Sequence, residues 1–336
     1  MKKPYIIAET AYSFEGASDY LYKSIEQLPD CISAIKFHML FSLNEYVSDG
    51  YQTLKKLLKD WLLPEMTWLD ILKKAKQKKK DVIILADDVS TIDFLEKNNQ
   101  YVDGIEVHAA CVNDVQILNR ALAFASEYEK VLYLGISGFE FDELKMIISY
   151  IKKHQNLNYV LMYGFQNYPT DLKNIQMNKI QFYSNIWDCN VGYADHTQAD
   201  LEIKDYIISS AYSSGVNVLE VHYINVFGEE RTDGITAYDA RRLIALNEKL
   251  MAINNAFGEF EIQLNEGELN YLNFRKVPVF IKDFPEGHVI RESDIVFKRV
   301  EKAKSRHCFR DYEGFINKTL IKSVVKDEEI LMEYFG

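Results

Sequence analysis

The stretch YIIAETAYSFEGASDYLYKSIEQLPDCISAIKF, residues 5–37, contains two short apolar segments with an amphipathic segment between them. YIIAE (5–9) and SAIKF (33–37) have the composition of buried β-strands, and DYLYKSIEQL has the apolar spacing of a helix. A strand, a helix and a second strand in this order form one unit of a parallel α/β fold.

The same unit recurs along most of the chain. Further strands are predicted at 82–86, 103–107, 131–134, 159–163, 190–194 and 217–223, with helical patterns between them. Eight such units in about 250 residues predict an α/β fold of the (β/α)8 TIM barrel type. A doubly wound open sheet is the alternative. Its dinucleotide-binding form is disfavoured because no G-x-G-x-x-G follows the first strand.

The pattern changes after residue 258, where short strand candidates are broken by turn signals such as PEG and KDEE. These segments are too short to be further barrel units. We therefore predict a catalytic barrel over 1–258, a linker over 259–273, and a small β-rich module over 274–336.

Composition excludes several classes of protein. The chain is 48% hydrophobic and 26% charged, with a net charge of −11, which argues against a broad nucleic-acid surface. The four cysteines include no C-x-x-C pair and are expected to be reduced thiols. No signal peptide or membrane-spanning run is recognisable. We expect a cytoplasmic protein with a small-molecule substrate and no nucleic-acid or membrane partner.

Polar residues stand at the carboxyl ends of several predicted strands, the edge where barrel enzymes place their chemistry. His196 follows the seventh strand and His222 lies near the end of the eighth. Neighbouring strands are about 5 Å apart, so the two imidazoles can share one divalent cation such as Mn²⁺, Zn²⁺ or Fe²⁺. The alternative is two separate histidines that bind no metal.

Several motifs together resemble those of the sialic acid synthases. IIAETAYSFEG is similar to the opening IAE segment of that family, AIKFHML to AVKFQ, GFQNYPT to SNYPT, VGYADHT to GYSDHT and LEVHYI to IEKHFT. The Asp233 region is similar to the GPDH loop, and the tail resembles the family's antifreeze-like (SAF) domain. The motifs occur in the family's order over nearly the whole chain.

The resemblance implies a condensation of phosphoenolpyruvate with an N-acyl hexosamine, which yields a nonulosonic (sialic-type) acid and phosphate. It implies that His196 and His222 bind a divalent metal, typically Mn²⁺, with Mg²⁺ or Co²⁺ as alternatives. It also implies a homodimer in which the SAF domain of one chain caps the barrel of the other. The implied catalytic residues are Glu9, Lys36 and Asp233, and the implied substrate-binding residues are His38, Glu106, Gln166, Tyr168 and Arg299.

Each role has a simpler alternative. Glu9 and Lys36 could form an internal ion pair, and Asp233 could cap the following helix. Arg299 could be a surface arginine. Tyr168, which precedes a proline, could be an ordinary loop residue.

The sequence departs from the family where the family binds the phosphate or carboxylate of phosphoenolpyruvate. Glu106 replaces a lysine, Ala109 and Ala194 replace serines, Cys111 replaces an acidic residue and Gln166 replaces an asparagine. Replacing a cation with an anion about 4 Å from a phosphate exchanges roughly 4 kcal/mol of attraction for similar repulsion at an effective dielectric near 20.

Three interpretations follow. The first is a synthase with an altered phosphoenolpyruvate pocket. The second is a related sugar or keto-acid carbon–carbon bond enzyme that does not use phosphoenolpyruvate, and the third is a non-catalytic ligand-binding paralogue.

Overall fold

The computed structural model describes residues 2–154 and 157–336, and the chain divides into two compact units, 1–258 and 259–336. The first unit is a closed barrel in which each strand pairs in parallel with the next and the last pairs with the first. The predicted TIM barrel is thereby confirmed. Its strands are β1 Tyr5–Glu9, β2 Ala34–Met39, β3 Asp81–Ala86, β4 Gly104–Val107, β5 Val131–Gly135, β6 Tyr159–Tyr163, β7 Asn190–Asp195 and β8 Val218–His222.

The helices of the first unit lie between the strands or follow the last one. They are α1 Ser18–Gln27, α2 Leu43–Tyr46, α3 Gln52–Lys59, α4 Glu65–Gln77, α5 Val89–Lys97, α6 Val115–Glu127, α7 Phe141–Ile151, α8 Leu172–Ile175, α9 Asn178–Trp187, α10 Ile203–Ser213 and α11 Ala240–Phe257. None of the helices in the described part of the chain is both long enough and apolar enough to cross a membrane.

The alternation of side chains along the strands builds the site. Ile7, Ala34 and Val218 belong to one buried apolar cluster together with residues of the other strands. Because successive side chains point to opposite faces of a strand, the residues two positions further along point the same way. On β1, β2 and β8 these are Glu9, Lys36 and Glu220. A layer of polar side chains therefore lies next to the apolar cluster, on the side of the carboxyl ends of the strands.

Gly164 fixes the path of the loop that follows β6. Its φ is +139°, and a Cβ added there would lie 2.0 Å from the carbonyl oxygen of Ala194 on β7. Only glycine fits this backbone conformation at so close an approach. The same loop is held to β7 further on, where the Thr170 amide donates to the carbonyl oxygen of His196.

The second unit has its own small core, to which Phe280, Phe284, Ile290 and Leu320 contribute. Strand β9, Val277–Phe280, pairs antiparallel with β10, Ile295–Lys298. The segment predicted as a linker, 259–273, contains a helix, α12 Glu266–Leu272, which begins with a capping box between Asn265 and Glu268.

An ion pair buried in the barrel supports the end of β7. Lys204 on α10 donates to the carboxylate of Asp195, and both side chains are 0% exposed. Asp195 also accepts from the Tyr193 hydroxyl and the Thr197 amide. The backbone on either side of His196 is therefore fixed by bonds to a single carboxylate.

We expect Lys204→Met to lower the free energy of unfolding by about 3–5 kcal/mol, because it leaves the buried Asp195 charge without its cation. Lys249→Met is the matched control. Lys249 pairs with Asp205 but is 56% exposed, so its loss should cost less than about 1 kcal/mol. Urea unfolding of both variants measures the difference, and equal losses would contradict this role for Lys204.

Candidate active site

Three buried side chains at the top of the barrel form a set that could hold a metal ion. One ligand atom each from Glu9, His196 and His222 lies within 4.8 Å of the others. Glu9 Oε2 is 3.3 Å from His222 Nε2, and the two imidazole rings meet edge to face at 4.7 Å. Two imidazoles and one carboxylate suit Mn²⁺, Fe²⁺ or Zn²⁺ and leave positions open for water or substrate oxygens.

Hydrogen bonds orient both imidazoles. His196 Nδ1 lies 3.1 Å from the carbonyl oxygen of Ala194. A carbonyl can only accept, so Nδ1 carries the ring proton and Nε2 keeps its lone pair. His222 Nδ1 lies 3.2 Å from the hydroxyl of Thr236, which leaves Nε2 directed toward Glu9. Metal-binding histidines are commonly held in this way through the other ring nitrogen.

The pKa values of the three groups reflect their burial and their contacts. Although burial lowers the pKa of His222, the hydrogen bond to Glu9 and the charge of Glu9 raise it above the ordinary value. Burial and the neighbouring His222 lower the pKa of His196 well below its ordinary value. Burial opposes ionisation of Glu9, yet the charge of Lys36 and the hydrogen bond to His222 hold its pKa well below the usual range. Glu9 is therefore an anion and His196 a neutral ligand at pH 7.

Lys36 occupies the centre of the barrel and is surrounded by three carboxylates. Its Nζ lies 3.2 Å from Glu9, 2.7 Å from Glu106 and 2.7 Å from Glu220. The contact with Glu106 is a hydrogen bond, whereas Glu220 Oε2 is close to the ammonium but outside hydrogen-bond geometry. The Lys36 side chain is only 1% exposed, so its charge is satisfied inside the protein.

Three carboxylates around one ammonium are not all equally acidic. Burial, together with the charges of Glu9 and Glu106, raises the pKa of Glu220 well above its ordinary value despite the nearby Lys36. Burial also raises the pKa of Glu106. Although burial disfavours the ammonium, the three glutamates raise the pKa of Lys36, so Lys36 stays charged and cannot act as a neutral amine.

Asp233 and Tyr168 also lie near the histidines. Asp233 lines the cavity and accepts a 3.4 Å hydrogen bond from the Tyr12 amide. It makes no side-chain cap bond to the helical turn that follows. The Tyr168 ring is 6.3 Å from that of His196 and 6.0 Å from that of His222, and its hydroxyl contacts Thr236.

Two of the predicted substrate-binding residues lie elsewhere. Gln166 is not among the residues that line the cavity, and its amide atoms are buried without a hydrogen-bond partner in the described chain. Arg299 lies in the second unit, where it is exposed and its Nε donates to the carbonyl oxygen of Phe274. Within the second unit itself, Arg299 is a surface arginine.

The barrel encloses a cavity of about 340 Å³ above Lys36, which is within the range of small-molecule sites. Four carboxyl groups line it, from Glu9, Glu106, Glu220 and Asp233. Lys36 is the one lysine or arginine among the described residues that line it. At the positions of the family's serines, Ala109 and Ala194 supply no hydroxyl.

A second set of polar residues lines the side of the barrel formed by β2, β3 and β4. His38 and His108 line the cavity with their rings edge to face at 5.9 Å. Asp87, which follows β3, accepts a 2.7 Å hydrogen bond from the Tyr12 hydroxyl. The functional residues that the sequence did not identify are Tyr12 and Thr236. Tyr12 lies within the IIAETAYSFEG segment and Thr236 in the helical turn Gly234–Thr236, but only their contacts in the folded chain reveal their part in the site.

The fold and this site define a TIM barrel with a two-histidine, one-carboxylate centre at its carboxyl edge. A profile of the NeuB family matches residues 36–261. The chain therefore belongs to the NeuB family.

The chain is similar to several known proteins at low sequence identity. It is 21% identical to an uncharacterised protein of Methanocaldococcus jannaschii over 97% of this chain and 93% of that protein. The N-acetylneuraminic acid synthetase of Leptospira borgpetersenii, crystallised with citrate, is 18% identical with a TM-score of 0.70, over 81% of this chain and 91% of that one.

A putative spore coat polysaccharide biosynthesis protein E from Chromobacterium violaceum is 15% identical with a TM-score of 0.81, over 99% of this chain and 100% of that one. At these identities the solved structures establish a shared fold.

We expect the protein to bind Mn²⁺ and each of His196→Ala and His222→Ala to weaken binding at least about 100-fold, since each removes one ligand. Thr236→Val keeps both histidines but removes the hydroxyl that bonds His222 and Tyr168, and should weaken binding about 10- to 100-fold. His154→Ala is the control, because His154 contacts Tyr150 on α7 outside the cavity. Electron paramagnetic resonance of unbound Mn²⁺ measures these affinities, and tight binding by His222→Ala would contradict the assignment.

Asp87 should make stability depend on pH. Burial raises the pKa of Asp87 to about 8, although the Tyr12 hydroxyl donates to it. The unfolded carboxyl titrates near about 3.9, so between about pH 4 and pH 8 the folded protein holds a proton that the unfolded chain releases. The contribution of Asp87 to the free energy of unfolding therefore falls as the pH rises through that window.

Asp87→Asn removes this pH-dependent contribution to stability. Urea unfolding at a series of pH values should show the variant gaining stability relative to the wild type from about pH 5 to pH 8, by up to about 1.4 kcal/mol per pH unit. Parallel pH profiles of the two proteins would show that Asp87 is ionised in the fold.

Proposed function

We propose that this protein is a divalent-metal-dependent sugar-acid synthase, which forms a carbon–carbon bond at the aldehyde carbon of an open-chain N-acyl hexosamine. The observation that carries the proposal is the Glu9, His196 and His222 set at the carboxyl edge of a NeuB-family barrel. A bound divalent ion, of which Mn²⁺ is the first candidate, would polarise the aldehyde oxygen as a Lewis acid.

The residues around the metal set would position the sugar and move its protons. Glu9 has one oxygen toward His222 and the other toward Lys36. Asp233 lines the cavity and is not engaged by Lys36, and burial raises its pKa, which suits a group that gives up or takes a proton. Tyr168 would pack against the sugar beside both imidazoles.

Phosphoenolpyruvate is the first candidate for the second substrate, because the family resemblance implies it. In that reaction the new bond joins the enol carbon to the sugar aldehyde carbon, and water enters as phosphate leaves. His38 and Glu106 are the substrate-binding residues proposed for this half of the cavity. Glu106 and Lys36 lie 2.7 Å apart.

The charge of the cavity favours a second candidate, a donor that carries no phosphate. Three carboxylates contact Lys36, the one lysine or arginine that lines the described cavity. A phosphate beside Lys36 would therefore also lie beside Glu106 and Glu220. Each of these carboxyl groups repels the phosphate by roughly 4 kcal/mol in its ionised form, at about 4 Å and an effective dielectric near 20, and burial raises the pKa of both.

The proposal includes the remaining predictions from the resemblance. Gln166 would reach the substrate only after its loop moves, and Arg299 would contact the N-acyl group from the second unit of a partner chain in a swapped, cytoplasmic homodimer. Light scattering after size exclusion measures the oligomeric state.

The full chain incubated with Mn²⁺, phosphoenolpyruvate and N-acetylmannosamine tests the proposal. We expect a nonulosonic acid to form with release of phosphate, or, for a donor without phosphate, metal-dependent turnover when a nonulosonic acid is supplied for the reverse reaction. Chelation should abolish either activity, and His222→Ala should lower it at least about 100-fold by removing the Lewis acid.

His154→Ala, outside the cavity, is the matched control and should retain full activity. A folded protein that shows neither activity with Mn²⁺, or that retains activity in the His222→Ala variant, would contradict the proposed function.

A further inference from the structure

Two imidazoles on the β2–β4 side of the cavity have hydrogen-bonding capacity that the protein does not use. Neither ring nitrogen of His38 has a hydrogen-bond partner in the described chain, and the His38 side chain is 13% exposed. Its Nε2 is 3.6 Å from Asp87, which is beyond hydrogen-bond range. Buried polar atoms are nearly always bonded, so an unpartnered imidazole that lines a cavity points to a ligand.

His108 presents a donor to the same space. Its Nδ1 accepts a 3.4 Å bond from the Ala110 amide, so the ring proton of a neutral His108 is on Nε2. No residue in the described chain accepts from that atom. The ring packs edge to face between His38, at 5.9 Å, and Phe165, at 5.8 Å, which holds it in place at the cavity wall.

Both imidazoles are neutral. Burial lowers the pKa of His38 to about 3 and also lowers the pKa of His108. The charged groups near them are Glu9 and Lys36, which pair with each other, whereas burial raises the pKa of Asp87 to about 8 and keeps it protonated at pH 7. This half of the cavity therefore offers hydrogen bonds without net positive charge.

We infer that His38 and His108 form a binding subsite for an uncharged hydroxyl or carbonyl group, so that the part of the substrate bound on this side of the barrel carries no phosphate. The inference rests on the proposed function for the identity of the cavity as a substrate site, and it selects the second of the two donor candidates. The substrate class is a neutral polyhydroxylated carbonyl compound.

The surroundings of the subsite agree with this choice. A phosphate site needs cations, hydroxyl groups or a cluster of backbone amides. Ala109, Gly135 and Ala194 line the same cavity without hydroxyl groups. The hydroxyl of Ser137, which also lines it, accepts a hydrogen bond from the Phe165 amide and keeps one O–H donor, which without a nearby free cation does not balance the charge of a phosphate.

Dihydroxyacetone and dihydroxyacetone phosphate are a matched pair of probes, since they differ only in the phosphate. Ligand-observed NMR titration of the full chain, treated with a chelator to remove metal, measures both dissociation constants. We expect dihydroxyacetone to bind at least about tenfold more tightly than its phosphate, because the phosphate meets the carboxylates around Lys36.

Variants of the subsite give a second readout. His38→Leu and His108→Leu should each weaken dihydroxyacetone binding about tenfold, the usual effect of losing one hydrogen bond to a ligand. His38→Gln keeps a donor and an acceptor and should stay within about threefold of the wild type on the same grounds. His154→Leu, outside the cavity, is the control. Circular dichroism establishes that each variant is folded.

Glu106→Gln tests the charge argument directly. It removes one of the three carboxylates from Lys36 without changing the size of the side chain, and should tighten dihydroxyacetone phosphate binding at least about tenfold. Tighter binding of the phosphate than of dihydroxyacetone by the wild type would overturn the inference. So would dihydroxyacetone binding that is absent or is unchanged in both leucine variants.

Because the titration is run without metal, its outcome is separate from that of the proposed function. An inert enzyme that still binds dihydroxyacetone through His38 and His108 would contradict the synthase proposal and leave the subsite in place. An active enzyme that binds dihydroxyacetone phosphate more tightly than dihydroxyacetone would support the synthase proposal and contradict the proposed subsite.

Discussion

The buried ammonium of Lys36 is the constraint on which the rest of the site depends. A charge inside a barrel is tolerated only with partners at close range, and β1, β4 and β8 each supply one carboxylate to it. The three glutamates shift the ionisation of one another, and Glu9 lies next to His222. In this arrangement the end of the cavity with His196 and His222 also carries the ionised Glu9, which suits a cation, while the imidazoles of His38 and His108 at the other end are neutral.

The fold was predictable because barrel strands are buried on both faces and therefore appear in the sequence as apolar runs. The predicted strand 33–37 lies on β2, Ala34–Met39, and 190–194 lies on β7, Asn190–Asp195. The helices were harder to predict from the sequence. α9 buries Ile180, Tyr183 and Trp187 but leaves Phe182 and Ile186 about half exposed, so its apolar pattern is not clearly periodic. α12 buries no residue and depends on its capping box, which in sequence looks like an ordinary polar loop.

The pairing of His196 and His222 was predicted because they lie on adjacent strands, whereas Glu9 was predicted as a catalytic residue and only its position in the folded chain brings it into the set. Of the partners of Lys36, the sequence suggested only Glu9. Glu106 and Glu220 lie on two other strands, and their contacts with Lys36 depend on how their side chains turn. The resemblance suggested Gln166 as a substrate residue, but the conformation of the loop after Gly164 places it outside the cavity lining. Tyr12 and Thr236 act through contacts across the top of the barrel, which no local pattern encodes.

Glu9 joins the two halves of the cavity through a single side chain. One oxygen lies 3.2 Å from Lys36 and the other 3.3 Å from His222. An ion drawn to the second oxygen withdraws electron density from the first, which loosens the hold on the lysine, and the reverse is equally true. Occupancy at one end and affinity at the other are therefore thermodynamically linked, and linkage of this kind is reciprocal. A cation held by Glu9 and the histidines would therefore change how firmly Lys36 is held, and a ligand that contacts Lys36 would change the affinity for that cation.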